Sequence, residues 1–152
     1  MPTPLCVGLG RAAALALAEM PQEAARLRDM RERLRTSLTR RVPGARLNGD
    51  LEHRLPGSLN FSFPDVTAPE LIEAVPSLAI STGSACTSAV VEPSYVLRAL
   101  GLTDAIANAS IRIGLGRFTT ASDVDFAIDA LAAAIARVQK RHAVADGVRV
   151  PT

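Results

Sequence analysis

Apolar and polar positions along the chain repeat with two different periods, and each period predicts a different kind of element. Residues 7 to 20 are rich in Ala and Leu and predict a helix ending near Met20. Pro21 suits the first turn of a second helix, where its missing N–H would have no partner anyway. From Gln22 onward, Leu27, Met30, Leu34 and Leu38 recur at spacings of three and four, which gives a helix with one core-facing stripe. Pro43, Gly44 and the Asn48–Gly49 turn signal in "VPGARLNGD" break that pattern after about Arg41. In "SLNFSF" the period shortens to two: Leu59, Phe61 and Phe63 alternate with Ser58, Asn60 and Ser62, predicting a half-buried strand.

The remaining pattern continues this alternation of elements. "TAPELIEAV" predicts a helix, with Thr67 as its cap and Pro69 near the first turn. "SLAIS" predicts a short strand, and a helix runs from Pro93 through Leu100 to Gly101. In "SIRIGL", Ile111, Ile113 and Leu115 share one face and Arg112 takes the other. A last helix starts at Thr119 or Thr120 and buries Val124, Ile128, Leu131, Ile135 and Val138; from Ala143 to Thr152 the chain reads as frayed. This order predicts an α/β (α+β) layer, a small sheet with helices packed on one side. The helical pair within residues 1–41 has no sheet of its own and reads as a connector to the domain at 42–142.

Composition narrows the picture. At 152 residues, with 48% hydrophobic and 21% charged residues, the chain reads as one soluble globular domain, or one domain with an appendage. Aromatic residues make up 3% and tryptophan is absent, which argues against stacking on nucleic-acid bases. Two cysteines form no disulfide framework. The apolar start lacks a basic n-region and carries Arg11 at its centre, so it does not read as a signal peptide. No apolar run approaches the roughly 18 residues expected of a membrane span. The expectation is a cytoplasmic protein with reduced thiols.

Between the predicted strand at Ser81 and the helix opened by Pro93 lies "STGSACTSAVVE", a stretch of small residues around Cys86. A buried structural cysteine is the ordinary reading of a free thiol, and it suits Cys6, which is flanked by Leu5 and Val7. Around Cys86, Ser81, Thr82, Gly83, Ser84, Thr87 and Ser88 supply little apolar surface, and their hydroxyls and backbone N–H groups favour a thiolate. A patternless connection of about 12 residues is usually functional or disordered. Such a tether could carry its tip on the order of 20 Å, so one thiol could visit two places.

Arg112 is the second candidate. From the polar face of its strand it could hold a carboxylate through two parallel hydrogen bonds, or simply be a solvated arginine. Arg117 reads as a cap or a brace for the turn and not as a catalytic residue. The arginines at 26, 28, 31, 33, 35, 40 and 41 could present a nucleic-acid surface or a solvated face with Arg28–Glu32 and Asp29–Arg33 pairs; the second reading is preferred. His53 and His142 lie far apart and lack the spacing of a zinc site.

"STGSACTSAVVEPSYVLRALGL" followed by "SIRIGLGRFTT", with "LNGDLEH" and "VGLG…EAARLRDMRERL" upstream, closely resembles the carboxy-terminal part of cysteine desulfurases, in register from about Pro4 to His142. These are class V aminotransferase-like, fold-type I pyridoxal-phosphate enzymes that take sulfur from L-cysteine for iron–sulfur cluster assembly. The resemblance implies that Cys86 is the nucleophile that takes the sulfur as a persulfide, leaving L-alanine, and that Arg112 clamps the substrate carboxylate. It also implies that Cys86 could serve as a shared iron–sulfur ligand, and that an iron–sulfur scaffold or another sulfur-acceptor protein is a partner. Residues 1–41 would correspond to the end of the large cofactor domain and the interdomain helix, and 42–142 to the small domain, within a homodimer or beside a separate large-domain chain. The family's Schiff-base lysine and cofactor histidine have no counterpart here. Lys140 is the only lysine, near the end of the last helix, so the chain alone is expected to be inactive and to hold no cofactor of its own. A stand-alone persulfide carrier using Cys86 is the alternative. Neither nucleic acid nor membrane is expected as a partner.

Overall fold

The structure, a computed structural model, describes residues 2–82 and 93–147. Helix α1 (Thr3–Arg41) is followed by strands β1 (Arg46–Leu47) and β2 (Ser58–Ser62), then by helices α2 (Ala68–Ala74), α3 (Tyr95–Ala99) and α4 (Asp104–Asn108). Strand β3 (Ser110–Gly114) and helix α5 (Ala121–Gly147) complete the order. The sheet runs β1-β2-β3 and is antiparallel throughout. Register pairs Leu59 with Ile113 and Phe61 with Ile111, so the apolar residues of both strands share one face.

Helices α1, α2 and α5 cover that face. Leu34 and Leu38 of α1, Leu71 of α2, and Val124, Leu131, Ile135 and Val138 of α5 are buried against Leu59, Phe61, Phe63 and Ile111 in one core. These three helices pack on one side of the small sheet, as expected, whereas α4 meets its other face, where Ser110 Oγ donates to Ile106 O. The stripes predicted for the second part of α1 and for α5 are the ones the fold buries. Phe61 and Phe63 stack with ring centroids 5.8 Å apart, which fills the middle of the layer. The short helices α3 and α4 add Leu97 and Ala107 as buried residues outside this core.

Several boundaries differ from expectation. The two predicted N-terminal helices are one helix of 39 residues with Pro21 inside it. Proline there removes only the hydrogen bond to the Leu17 carbonyl, and Leu17 is exposed, so water can take the proline's place. "SLAIS" forms no strand of its own: Ser81 alone makes an isolated bridge to Arg112, while Leu78 and Ile80 lean on the core. The helix expected from Pro93 spans only Tyr95–Ala99 before Gly101 turns the chain at φ 81°. A further helix, α4, is capped by Thr103, whose hydroxyl accepts from Ile106 N–H. Helix α5 continues to Gly147, past the point where fraying was expected.

Gly57 marks a close approach. A Cβ there would lie 2.4 Å from the Leu115 carbonyl oxygen, and Leu115 N–H donates to Gly57 O at 2.7 Å. By length and composition alone the first half of α1, with a mean hydropathy of 1.2, is long and apolar enough to cross a membrane; Arg11 and Glu19 interrupt it, so no unbroken apolar run nears 18 residues, as expected.

Candidate active site

Arg112 sits in the middle of β3 with its side chain exposed, opposite Asn60 of β2. Its other edge is also held: Arg112 N–H donates to Ser81 O at 2.7 Å and Ser81 N–H donates back at 3.4 Å. The arginine is therefore fixed from both sides by backbone. One of those sides is the root of the segment that carries Cys86, five residues further along the chain. Cys86 itself, with residues 83–92, lies outside the described residues, as does every expectation placed on that segment.

A buried polar network stiffens the face that Arg112 occupies. Asn48 Nδ2 donates to Asn60 Oδ1 at 2.7 Å and to Ser110 Oγ at 3.1 Å. Ser62 Oγ donates to Asn48 Oδ1 at 3.3 Å, and Ser110 Oγ donates to Ile106 O at 2.7 Å. Asn48, Ser62 and Ser110 are buried, so these bonds replace water and tie β1, β2, β3 and α4 together. By sequence Asn48 is only a turn signal. Its burial had one visible hint, the serines placed opposite the apolar set in both strands.

The loop after Asn48 is built on Asp50. Its Oδ1 accepts from His53 N–H at 2.6 Å and from Glu52 N–H at 2.7 Å. Those bonds, the His53 one first, hold the Asp50 carboxyl below its ordinary range. Arg54 Nη2 donates to Asn48 O at 3.1 Å. Burial, followed by the neighbouring Arg31, lowers the pKa of Arg54. Arg31 itself is buried on α1; among the described residues its Nε has no partner, and its guanidinium reaches Glu32 at 3.4 Å. The cationic stretch of α1 is thus partly structural. The helix pairs also differ from those expected: Glu32 binds Arg35 at 2.8 Å and Arg33 binds Asp125 at 2.6 Å.

The other candidates do not converge on Arg112. Cys6 is exposed, which corrects the expectation of a buried structural thiol: its apolar neighbours Leu5, Val7 and Leu9 are exposed with it. His53 is exposed, and His142 shares a hydrogen bond of 2.8 Å with Glu70 across α2 and α5. Among the described residues no group of His, Cys, Asp and Glu is placed to hold a metal ion. A cleft of about 540 Å³ is lined by Arg46, Phe63, Asp65, Ile106 and His142, at the opposite end of β2 from Ser58, and Arg112 does not line it.

Residues 1–126 match the family model described as aminotransferase class-V, and the chain belongs to that family. It is 53% identical over 125 residues to a cysteine desulfurase IscS of Anaeromyxobacter sp. (strain K), and 45% identical over 140 residues to one of Ehrlichia chaffeensis. These matches cover 82% and 92% of this chain but 31% and 34% of the relatives, so the chain spans about a third of their length. Among solved structures, a NifS-like protein superposes with a TM-score of 0.75 at 26% identity, over 90% of this chain and 34% of that one. A NifS-like protein from Rickettsia africae gives 0.71 at 22% identity, over 84% of this chain and 33% of that one, which supports the fold.

The family implies pyridoxal phosphate. The residues present do not fit its attachment. The lone lysine, Lys140, is exposed on α5 beside Arg141, where neither burial nor a held position would prepare an amine for a Schiff base.

Proposed function

We propose that these 152 residues are the carboxy-terminal, sulfur-receiving part of a cysteine desulfurase that serves iron–sulfur cluster assembly in the cytoplasm. The observation that carries this reading is the backbone bridge between Arg112 and Ser81. It roots the segment bearing the nucleophile beside the arginine suited to the substrate carboxylate. Arg112 receives the α-carboxylate of L-cysteine through its guanidinium fork, from a strand whose backbone is paired with β2 and with Ser81. The Cys86 thiolate forms a bond to the substrate sulfur as the carbon–sulfur bond breaks, leaving a persulfide on Cys86 and, after protonation of the carbon, L-alanine. The lysine and the cofactor-binding surface belong to a segment outside these residues, on the same or another chain. Residues 1–41 lead toward it, and the pair works within a homodimer. The persulfide then passes to a scaffold or other acceptor protein, and Cys86 can share an iron–sulfur cluster at that encounter.

The test supplies the chain with the lysine-bearing segment and L-cysteine, and follows both alanine and the mass of the Cys86 peptide. Alanine release with one added sulfur on Cys86 is expected. Arg112→Ala should raise KM for L-cysteine by about a hundredfold, the scale of a lost bidentate charge pair. Turnover without sulfur on Cys86 would remove its role, and a lack of turnover would remove the desulfurase reading. The chain alone should retain no cofactor absorption after dialysis. The exposed position of its one lysine favours a second reading, a persulfide carrier: there the isolated chain gains one sulfur on Cys86 from a persulfide donor, with no L-cysteine present.

A further inference from the structure

Arg26 makes an unusual set of bonds. Its Nη1 donates to Thr119 O at 2.6 Å, and its Nη2 donates to Gly116 O at 3.1 Å and Arg117 O at 2.9 Å. Its Nε and Nη2 also donate to the two carboxylate oxygens of Glu23, each at 3.0 Å. One guanidinium of α1 therefore holds the backbone of the turn that follows β3. A second tie runs the other way: Arg117, in that same turn, pairs with Glu19 of α1. Glu19 and Arg26 stand on either side of Pro21, the position where α1 lacks a backbone hydrogen bond and would bend most easily.

The turn is rigid in its own right. Gly116 N–H donates to Thr119 Oγ1 at 3.0 Å, and Leu115 is fastened to Gly57. From Arg112 to Thr119 the backbone thus runs through held positions only: the β2 register, the Ser81 bridge, the Gly57 contact and the Arg26 clamp.

We propose that Arg26 and Arg117 are positioning residues: together they brace α1 across Pro21, setting the N-terminal arm (residues 3–20) at one fixed angle to the strand that carries Arg112. The consequence for catalysis rests on the desulfurase reading, in which that arm leads to the cofactor-bearing segment. The brace then sets the distance between the carboxylate-binding arginine and the chemistry on the other side.

Two measurements test this. In the present chain with Cys86→Ser, spin labels on the exposed Cys6 and on Ala136→Cys of α5 report the arm's angle. A narrow distance distribution is expected with the brace intact, and at least a doubling of its width in Arg26→Ala/Arg117→Ala; an unchanged width overturns the brace. In the enzyme completed by its lysine-bearing segment, the same double substitution should raise KM for L-cysteine about tenfold and leave kcat within about twofold, since a swinging arm holds the substrate-competent arrangement only part of the time and saturating substrate restores it. Glu23→Gln keeps the carbonyl bonds and should leave KM unchanged. A wider distribution with unaltered KM overturns the positioning role. If the unsubstituted enzyme releases no alanine, the desulfurase reading fails, and the label widths still decide whether the brace exists.

Discussion

The two halves of α1 are one uninterrupted helix, yet they live in different environments. From Met30 to Leu38 the helix lays a stripe on the sheet, and Leu34 and Leu38 are wholly buried. From Leu5 to Met20 it is at least as apolar, yet Leu5, Val7, Leu9, Leu17 and Met20 are all exposed. Hydrophobic pattern alone specifies that a surface should be covered; it does not say by what. The second half finds its cover in β2 and α5. The first half finds none among the described residues, which fits a chain spanning about a third of its relatives.

The largest expected contrast comes from matched truncations. Leu34→Ala opens a cavity in the core and should cost about 2–5 kcal/mol in urea unfolding. Leu9→Ala should stay within about 0.5 kcal/mol, because its side chain is already in water. Equal losses at both sites would mean that the first half is packed in solution, for instance against a second copy. A smaller effect is expected at the sheet end that the second half of α1 faces. Gly57→Ala drives a methyl into the Leu115 carbonyl, a backbone atom that cannot swing away, and should cost about 1–3 kcal/mol and shift amide resonances from Leu115 to Thr119.

Arg31 sharpens the comparison from another side. It is a charged residue inside the well-packed half, 7% exposed, and among the described residues it has one distant acidic contact and no partner for its Nε. Desolvation there works against the charge, and Arg54 nearby adds repulsion. Arg31→Met should leave stability within about 1 kcal/mol of the unsubstituted chain, or raise it. A loss of several kcal/mol would show that Arg31 holds a stronger partner in solution.

Much of the packed half was legible in the sequence, because period is a local signal. Leu59, Phe61 and Phe63, the isoleucines at 111 and 113, and the α5 stripe from Val124 to Val138 all face the core as their spacing predicts. What was not legible depends on distant partners or on very short elements. Strand β1 has only two residues, too few for a pattern, and exists because Arg46 and Leu47 pair with β2. Arg26 looks like any helix-surface arginine, since its acceptors lie some ninety residues away. Pro21 signals a helix start, and only solvent access at Leu17 lets the helix run on. Cys6 misled for the same reason as its neighbours: apolar flanks predict burial, but cover has to come from somewhere. Arg112 could be singled out locally, whereas the Ser81 bridge that roots the cysteine segment beside it could not.

The smallest expected effect concerns how α5 is fastened to α2, at the far edge of the half that packs well. Glu70 accepts from the Thr67 hydroxyl at 2.7 Å, from Thr67 N–H at 3.0 Å, and shares a 2.8 Å hydrogen bond with His142. The Thr67 hydroxyl first, then His142, lower its pKa to about 2. A carboxyl depressed in the folded state favours folding once pH exceeds its unfolded value, near 4.5, and loses that contribution as pH falls from there toward 2. Glu70 is about one-third exposed, so solvent screening reduces the contribution to about 1 kcal/mol or less. Glu70→Gln should therefore lower stability slightly at neutral pH and flatten the acid limb between pH 4.5 and 2, as followed by urea titrations at stepped pH. An acid limb unchanged by the substitution would show that the Thr67–Glu70–His142 chain does not fasten these helices in solution, and would leave the buried stripe of α5 and the bond from Arg137 to the Ala74 carbonyl to hold them.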